Sequence, residues 1–482
     1  MTDSPFIGRE RYLKALRDRT AMIESDGRGA AVALRGRRQV GKSRLVQRFC
    51  EQAALPYVYF QADRGMSPVE SMARFVRVLR ESDLPAASEI PEDPVWTWRT
   101  ALQALKTALP QNGPSVVVLD ELPWLLEQDK TLEGILQTEW DRELSRLPVL
   151  LILIGSDMRM MESFSGYDSP FYGRADPMLV DPLDPRNVAQ MTGLGGANAL
   201  DAHLITGGFP GLCRAWPDGM TPADFIRHSC ENAYSPLFTL GETMLASEFP
   251  APDQHRRVLT AIGSGERTFA NIARAAGSGP GAPVQSGSLG PILRTLEQKQ
   301  VVAADQPLSV VAGNGGKLYR VSDTYLRLHL SVLANANEDI KRGRPELAVA
   351  KIQRQWTSWR GRAIEPVIRE ALYRSVVEVD FPWPEAEAVG GWWPRSFDPE
   401  IDLVGADRGP VAKHLLYTGS IKWLSTPFDG HDFASLVRGS TKVPGVDPER
   451  TGLVVVSLSG TTDEVEADLV WGAGEVLAAW DS

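Results

Sequence analysis

The chain has 482 residues, 43% of them hydrophobic and 23% charged, with a formal net charge of −10. That length is a prior of about three domains, and the composition excludes wholesale disorder. So acidic a chain does not coat nucleic acid or anionic membrane by bulk attraction, and any such contact needs a local basic patch. No apolar run reaches the ~20 residues of a membrane helix. The start, MTDSPFIGRE, lacks the basic and apolar regions of a secretory signal. Cys50, Cys213 and Cys230 form no CxxC pair, and an odd trio suits a reducing compartment, so a cytoplasmic location is expected. The scattered histidines have no paired spacing with cysteine, which argues against structural zinc.

In chain order, the pattern up to about Met178 is apolar strand, turn, then helix, which predicts a parallel α/β sheet. Strands are expected at Ala31–Arg35, Tyr57–Gln61, Ser115–Leu119 and Val149–Ile154, all apolar enough to be buried on both faces. Segment 181–245 reads as helical, interrupted by Gly207-Gly208-Phe209-Pro210. Segment 252–330 predicts helices near Asp253–Ile262, Thr268–Ala276 and Ser288–Lys299, then a hairpin. From about 350, a long helix precedes a strand-rich region ending near Trp480.

Gly36-Arg37-Arg38-Gln39-Val40-Gly41-Lys42-Ser43 is GxxxxGKS, between the strand AAVALR and the helical run SRLVQRFCEQA. That context defines a phosphate-binding P-loop. Backbone N–H groups and the helix N-terminus would cradle the phosphates. Gly36 and Gly41 permit the close backbone approach, Lys42 reaches the β/γ-phosphates, and Ser43 ligates Mg²⁺. The run VVVL carries Asp120 and Glu121 to the C-terminal end of a strand, where ligands bind open α/β sheets. Asp120 would hold Mg²⁺ mostly through water, and Glu121 would orient or deprotonate the attacking water. Ser156, after LLILIG, is placed either to contact the γ-phosphate or lytic water or to cap the next helix. Arg174, in SPFYGR, has two readings: a transition-state arginine acting in cis or across a subunit boundary, and a structural arginine.

Phe6-Ile7-Gly8-Arg9-Glu10, the P-loop, DELPWL, IGSDMRMME, SPFYGR and GGFP together resemble the AAA+-related STAND ATPases, in their archaeal-type branch. The resemblance implies an ATPase using ATP and Mg²⁺, with Gly8, Arg9 and Pro210 in the nucleotide pocket. It divides the chain into an ATPase core (1–180), a helical lid (181–248), a winged helix (249–335) and a tail (345–482). LYRVSDTYLR, residues 318–327, looks like the junction before a restriction-endonuclease-like tail. The third winged-helix helix carries only Arg294 and Lys299 as basic residues, so the module serves either to read DNA or to pack between domains.

The tail resembles the PD-(D/E)XK nuclease fold, whose chemistry needs clustered carboxylates around Mg²⁺ and a nearby lysine. Glu365 stands at the first acid, Asp402 at the central strand acid and Lys422 at the lysine. Ser420 replaces the expected Glu or Asp. Glu400, two residues from Asp402, shares its strand face and is a candidate substitute. The expectation is a switch ATPase controlling a winged helix and a degenerate nuclease-like tail. The alternatives are an ATP-regulated Mg²⁺-dependent DNA nuclease and a DNA-binding transcriptional or signalling regulator. ATP or ADP, DNA through the winged helix and tail, and a homo-oligomer are the expected partners; no membrane is.

Overall fold

A computed structural model describes residues 6–91, 96–249, 254–277, 279, 282–313 and 315–481. The chain forms two compact units, Met1–Pro182 and Leu183–Ser482.

The first unit is built on five strands: β1 (Ala30–Arg35), β2 (Tyr57–Gln61), β3 (Ser115–Asp120), β4 (Val149–Gly155) and β5 (Ala175–Leu179). All neighbours are parallel, in the order β2-β3-β4-β1-β5. This is the α/β sheet expected from the alternating pattern. β3 and β4 are buried at every position, as central strands covered on both faces by helices must be. Four strands lie within a residue of their predicted bounds. β5 is a correction to that reading: ADPML does not look like a strand because it carries Pro177 and is mostly solvent-facing. It pairs only with β1, and a proline without an N–H is tolerated on an edge strand. The core between sheet and helices is anchored by Phe60 edge-on to Phe75, with Trp98 beyond it.

The order matters for function. β3, β4 and β1 are adjacent, so the segments leaving their C-terminal ends emerge side by side.

The second unit opens with five helices between Pro185 and Glu248. Asp184 and Thr221 cap two of them by accepting N–H bonds from their first turns. Gly207-Gly208 is a tight turn in this region. Both glycines have positive φ, and a Cβ on Gly208 would sit 2.0 Å from the Leu183 carbonyl oxygen. Helices Gln254–Gly263, Phe269–Ala275 and Ser286–Gln298 follow, then an antiparallel hairpin of β6 (Val302–Asp305) and β7 (Leu318–Val321). Asp253, the expected start of the first of these helices, lies outside the described residues. This segment encloses its own apolar core around Val258, Leu259, Leu289 and Leu293.

After a π-helical turn at His329–Leu333, a helix of 30 residues runs from Pro345 to Arg374. A second sheet then forms from β8 (Ala388–Trp392), β9 (Ile401–Ala406), β10 (Leu415–Lys422), β11 (Gly452–Ser457) and β12 (Leu469–Trp471). Its order is β12-β11-β10-β9-β8. β8, β9 and β10 are antiparallel neighbours, whereas β10, β11 and β12 run parallel. Trp392, Trp393, Trp423 and Trp471 are buried in this region, so these rings act as packing. Among the described residues, no helix is long and apolar enough to cross a membrane, and the three cysteines are buried and joined in no disulfide.

Candidate functional site

The residues expected at the phosphate site come from three adjacent strands. β1 ends at Arg35, and the loop begins at Gly36, where an added Cβ would meet the Val180 carbonyl oxygen at 2.5 Å. Only glycine fits there. Gly41 has φ of 93° and leads into helix Lys42–Ala53. Lys42 is buried, and its Nζ donates to the carbonyls of Gly36 at 2.7 Å and Arg37 at 3.0 Å. The ammonium therefore lies inside the loop that would wrap the phosphates.

Asp120, at the end of β3, is buried. One carboxylate oxygen accepts the Tyr59 hydroxyl at 2.7 Å, and the other accepts the Glu121 N–H at 2.9 Å. The Ser43 side chain also acts on the Tyr59 hydroxyl, favouring its ionised form, so the two expected Mg²⁺ ligands lie near one phenol. Burial, reinforced by the Asp120 charge, pushes the Tyr59 hydroxyl above its ordinary value and keeps it a donor. Sequence reasoning missed Tyr59. Its only signal was its place on β2, two residues before the strand's end.

Glu121 has φ of 58° and ψ of 44°, a left-handed conformation that costs a non-glycine residue energy and collects at functional sites. The turn aims its carboxylate at the end of β4. There the Ser156 hydroxyl lies 2.9 and 3.0 Å from the two carboxylate oxygens. The following helix, Met158–Phe164, is capped by Asp157, so Ser156 is not its cap. Gly155 is required beside it, because a Cβ there would strike Met161 at 2.4 Å.

Gly8 has φ of 75° and turns the chain into the first helix. The buried Arg9 side chain then donates to the Val40 carbonyl at 2.7 Å and the Asp181 carbonyl at 2.8 Å. It pins the phosphate loop to the segment following β5. Pro210 opens the short helix Pro210–Arg214 of the second unit.

Arg174 requires a correction as a residue acting in cis. β5 runs parallel to β1, with Ala175 opposite Ala31 and Leu179 opposite Arg35. The phosphate loop follows Arg35, whereas Arg174 precedes Ala175, so they lie at opposite ends of the sheet, separated by roughly 13 Å of strand. Its guanidinium is fully engaged. Nε and Nη2 each donate to Asp141 at 2.7 Å, and Nη1 donates to the carbonyls of Pro170 and Tyr172 at 2.9 Å.

In the tail, Glu365, Glu400 and Asp402 are close enough for their charges to act on one another. Burial, more than those charges, pushes the Glu365 and Asp402 carboxyls above the usual carboxylate range. Each acid is already occupied. Asp402 accepts the Ser420 hydroxyl at 3.0 Å and the Ile421 N–H at 2.8 Å. Arg369 bonds Glu365 at 3.5 Å and the Asp402 carbonyl at 3.0 Å. Glu400, the candidate substitute for the missing acid, has its carboxylate held by Arg267 through two bonds of 2.8 and 3.2 Å. Lys422 likewise does not join the acids: its ammonium is bound by Asp432 and the Pro427 carbonyl. Among the described residues, no group of three His, Cys, Asp or Glu side chains is arranged to hold a metal ion.

The first unit is thus a parallel α/β sheet with a P-loop, and the second carries a separate mixed sheet. Residues 329–429 match the DUF234 family, described as archaeal and bacterial proteins of unknown function. Among solved structures, the Walker-type ATPase PABY2304 of Pyrococcus abyssi is similar at 18% identity, covering 67% of this chain and 96% of that one, with a TM-score of 0.47. The ORC2 protein of Aeropyrum pernix, solved in ADPNP–ADP complexes, is 14% identical over 71% of this chain and 98% of that one, with a TM-score of 0.44. The ORC1 protein of the same organism, in complex with DNA, is 15% identical over 70% and 95%, with a TM-score of 0.32. No curated protein matches the chain.

Proposed function

We propose that the chain is an ATP-binding and ATP-hydrolysing switch of the AAA+-related STAND kind. The observation that carries this reading is the set gathered on four adjacent strands and the segments that leave them: Ser43, Tyr59 and Asp120 on one side, Glu121 and Ser156 on the other. The donor set suits Mg²⁺, which needs few protein oxygens and keeps several waters. Ser43 and Asp120 would hold it, and the ion would neutralise charge developing on the phosphates. Lys42 would bind the β/γ-phosphates, and Glu121, steadied by Ser156, would orient the attacking water. Gly8 and Arg9 shape the pocket by fixing the loop, and Pro210 is assigned to it by analogy.

In this reading, ATP turnover governs the second unit, with residues 249–335 as a winged helix and 345–482 as a nuclease-like fold without nuclease chemistry. The pairing of each tail acid with arginine, hydroxyl or backbone supports that loss of chemistry. The test uses nucleotide-free protein. Mg-ATP is expected to raise Tm, Lys42→Ala to abolish that rise, and Glu121→Gln to bind ATP while hydrolysing it at least 100-fold more slowly. No rise in wild-type protein would refute nucleotide binding. Normal turnover by Glu121→Gln would remove only the role of Glu121.

A further inference from the structure

Five arginines of the second unit line one cleft. The cleft opens to solvent and is lined by Arg267, Arg320, Arg327, Arg362 and Arg369, with Asp305 and Glu365 among them. Its walls come from two places: the helix-and-hairpin segment 254–327 and the middle of helix Pro345–Arg374. Three of the arginines are neutralised. Arg267 pairs with Glu400, Arg320 with Asp305 at 2.9 Å, and Arg369 with Glu365.

Arg327 and Arg362 are different. Arg327 donates from Nη1 to the Arg362 carbonyl at 3.0 Å, and neither guanidinium forms an ion pair among the described residues. Burial works against the charge of Arg327, Glu365 favours it, and Arg320, Arg267 and Arg362 repel it. Gly265 keeps the wall beside Arg362 bare, with 3.9 Å between an ideal Cβ and Nη1. Arg362 is exposed and Arg327 half-buried, so an anion entering the cleft meets both guanidinium groups. The guanidinium fork matches phosphate oxygens in geometry as well as charge.

We propose that this cleft binds a phosphomonoester dianion, whose two charges match the two unpaired guanidinium groups of Arg327 and Arg362. The ligand would touch both walls at once, tying the hairpin segment to the long helix. The inference does not depend on the ATPase reading, because the site shares no residue with the P-loop.

The experiment uses full-length Lys42→Ala protein, so that phosphate binding at the P-loop does not contribute. Inorganic phosphate at saturation is expected to raise Tm by about 2–4 °C. Adding Arg362→Gln, at an exposed side chain whose loss should not disturb folding, should cut that rise by more than half. Arg327→Gln together with Arg362→Gln should remove it, and Arg438→Gln, far along the chain on an exposed helix, should leave it intact. A short 5′-phosphorylated oligonucleotide that stabilises where its unphosphorylated twin does not would identify a terminal phosphate as the source. Stabilisation by inorganic phosphate alone would identify the free ion. Equal stabilisation by both oligonucleotides would overturn the monoester assignment. No phosphate effect, or one that survives Arg362→Gln, would overturn the site.

Discussion

Ser156 and Arg174 show how a side chain's partners decide between roles that sequence leaves open. Both had a structural and a catalytic reading. Ser156 faces the Glu121 carboxylate, and Asp157 takes the capping bond. Arg174 is saturated by Asp141 and two carbonyls at the far end of the sheet. Opposite outcomes are therefore expected from one experiment. Ser156→Ala should lower kcat about 10-fold, since it loosens the group that orients water, with Tm nearly unchanged. Arg174→Ala should lose about 1 kcal/mol of stability, discounted for a partly exposed pair, and retain wild-type kcat. Its specific activity should also be independent of protein concentration. A kcat collapse in Arg174→Ala at unchanged Tm would restore an active role for that arginine across a subunit boundary.

At the scale of elements, the inner strands β1, β3 and β4 were legible because burial on both faces demands continuous apolar runs such as VVVL and LLILI, and the edge strand β2 because YVYF is apolar and β-prone. β5 was not, because an edge strand needs neither apolarity nor every N–H. The P-loop was legible because its spacing is local. Tyr59 and the tail pairings were not: Arg267 meets Glu400 across 133 residues, and nothing in either neighbourhood announces the other. The same holds for Asp201 and Arg360, which join helix Gly196–Thr206 to the long helix at 3.0 Å. Burial pushes the Asp201 carboxyl up to about 6, against the opposing pull of Arg360. A raised carboxyl pKa means the folded state holds a proton that the unfolded chain releases. Its contribution is complete below about pH 4 and is lost as pH rises through 6. Wild-type stability should thus carry a downward term between pH 4 and 6 on the order of 2–3 kcal/mol. Asp201→Asn lacks that term, so in urea denaturation its stability relative to wild type should climb across this window and level off above it. A difference that is flat from pH 4 to 6.5 would show that Asp201 is ionised throughout.

At the scale of the whole molecule, two sheets carry two sets of acidic residues, and their fates differ. In the first unit Asp120 and Glu121 are held by neutral donors, Tyr59 and Ser156, which give way readily to a cation or a water. In the second, Glu365 and Glu400 are held by guanidinium groups, which already supply the charge a metal would bring. If the tail is nuclease-like as proposed, the serine at position 420 is then only part of what separates it from a working nuclease; the ammonium of Lys422 is bound by Asp432. The full chain is therefore expected to hydrolyse ATP and to leave linear and plasmid DNA intact with Mg²⁺ or Mn²⁺, whether or not ATP is present. Ser420→Glu should not restore cleavage, because the added acid would face an Asp402 already bonded to the Ile421 N–H and a lysine pointing elsewhere. Asp402→Ala should leave ATPase activity unchanged while lowering Tm, since it strands the Ile421 N–H in the core. Wild-type cleavage that disappears in Asp402→Ala would reverse this argument. It would mean that substrate or metal displaces Arg369 and Arg267 from the acids, and that the arginine pairs guard the site rather than replace its metal.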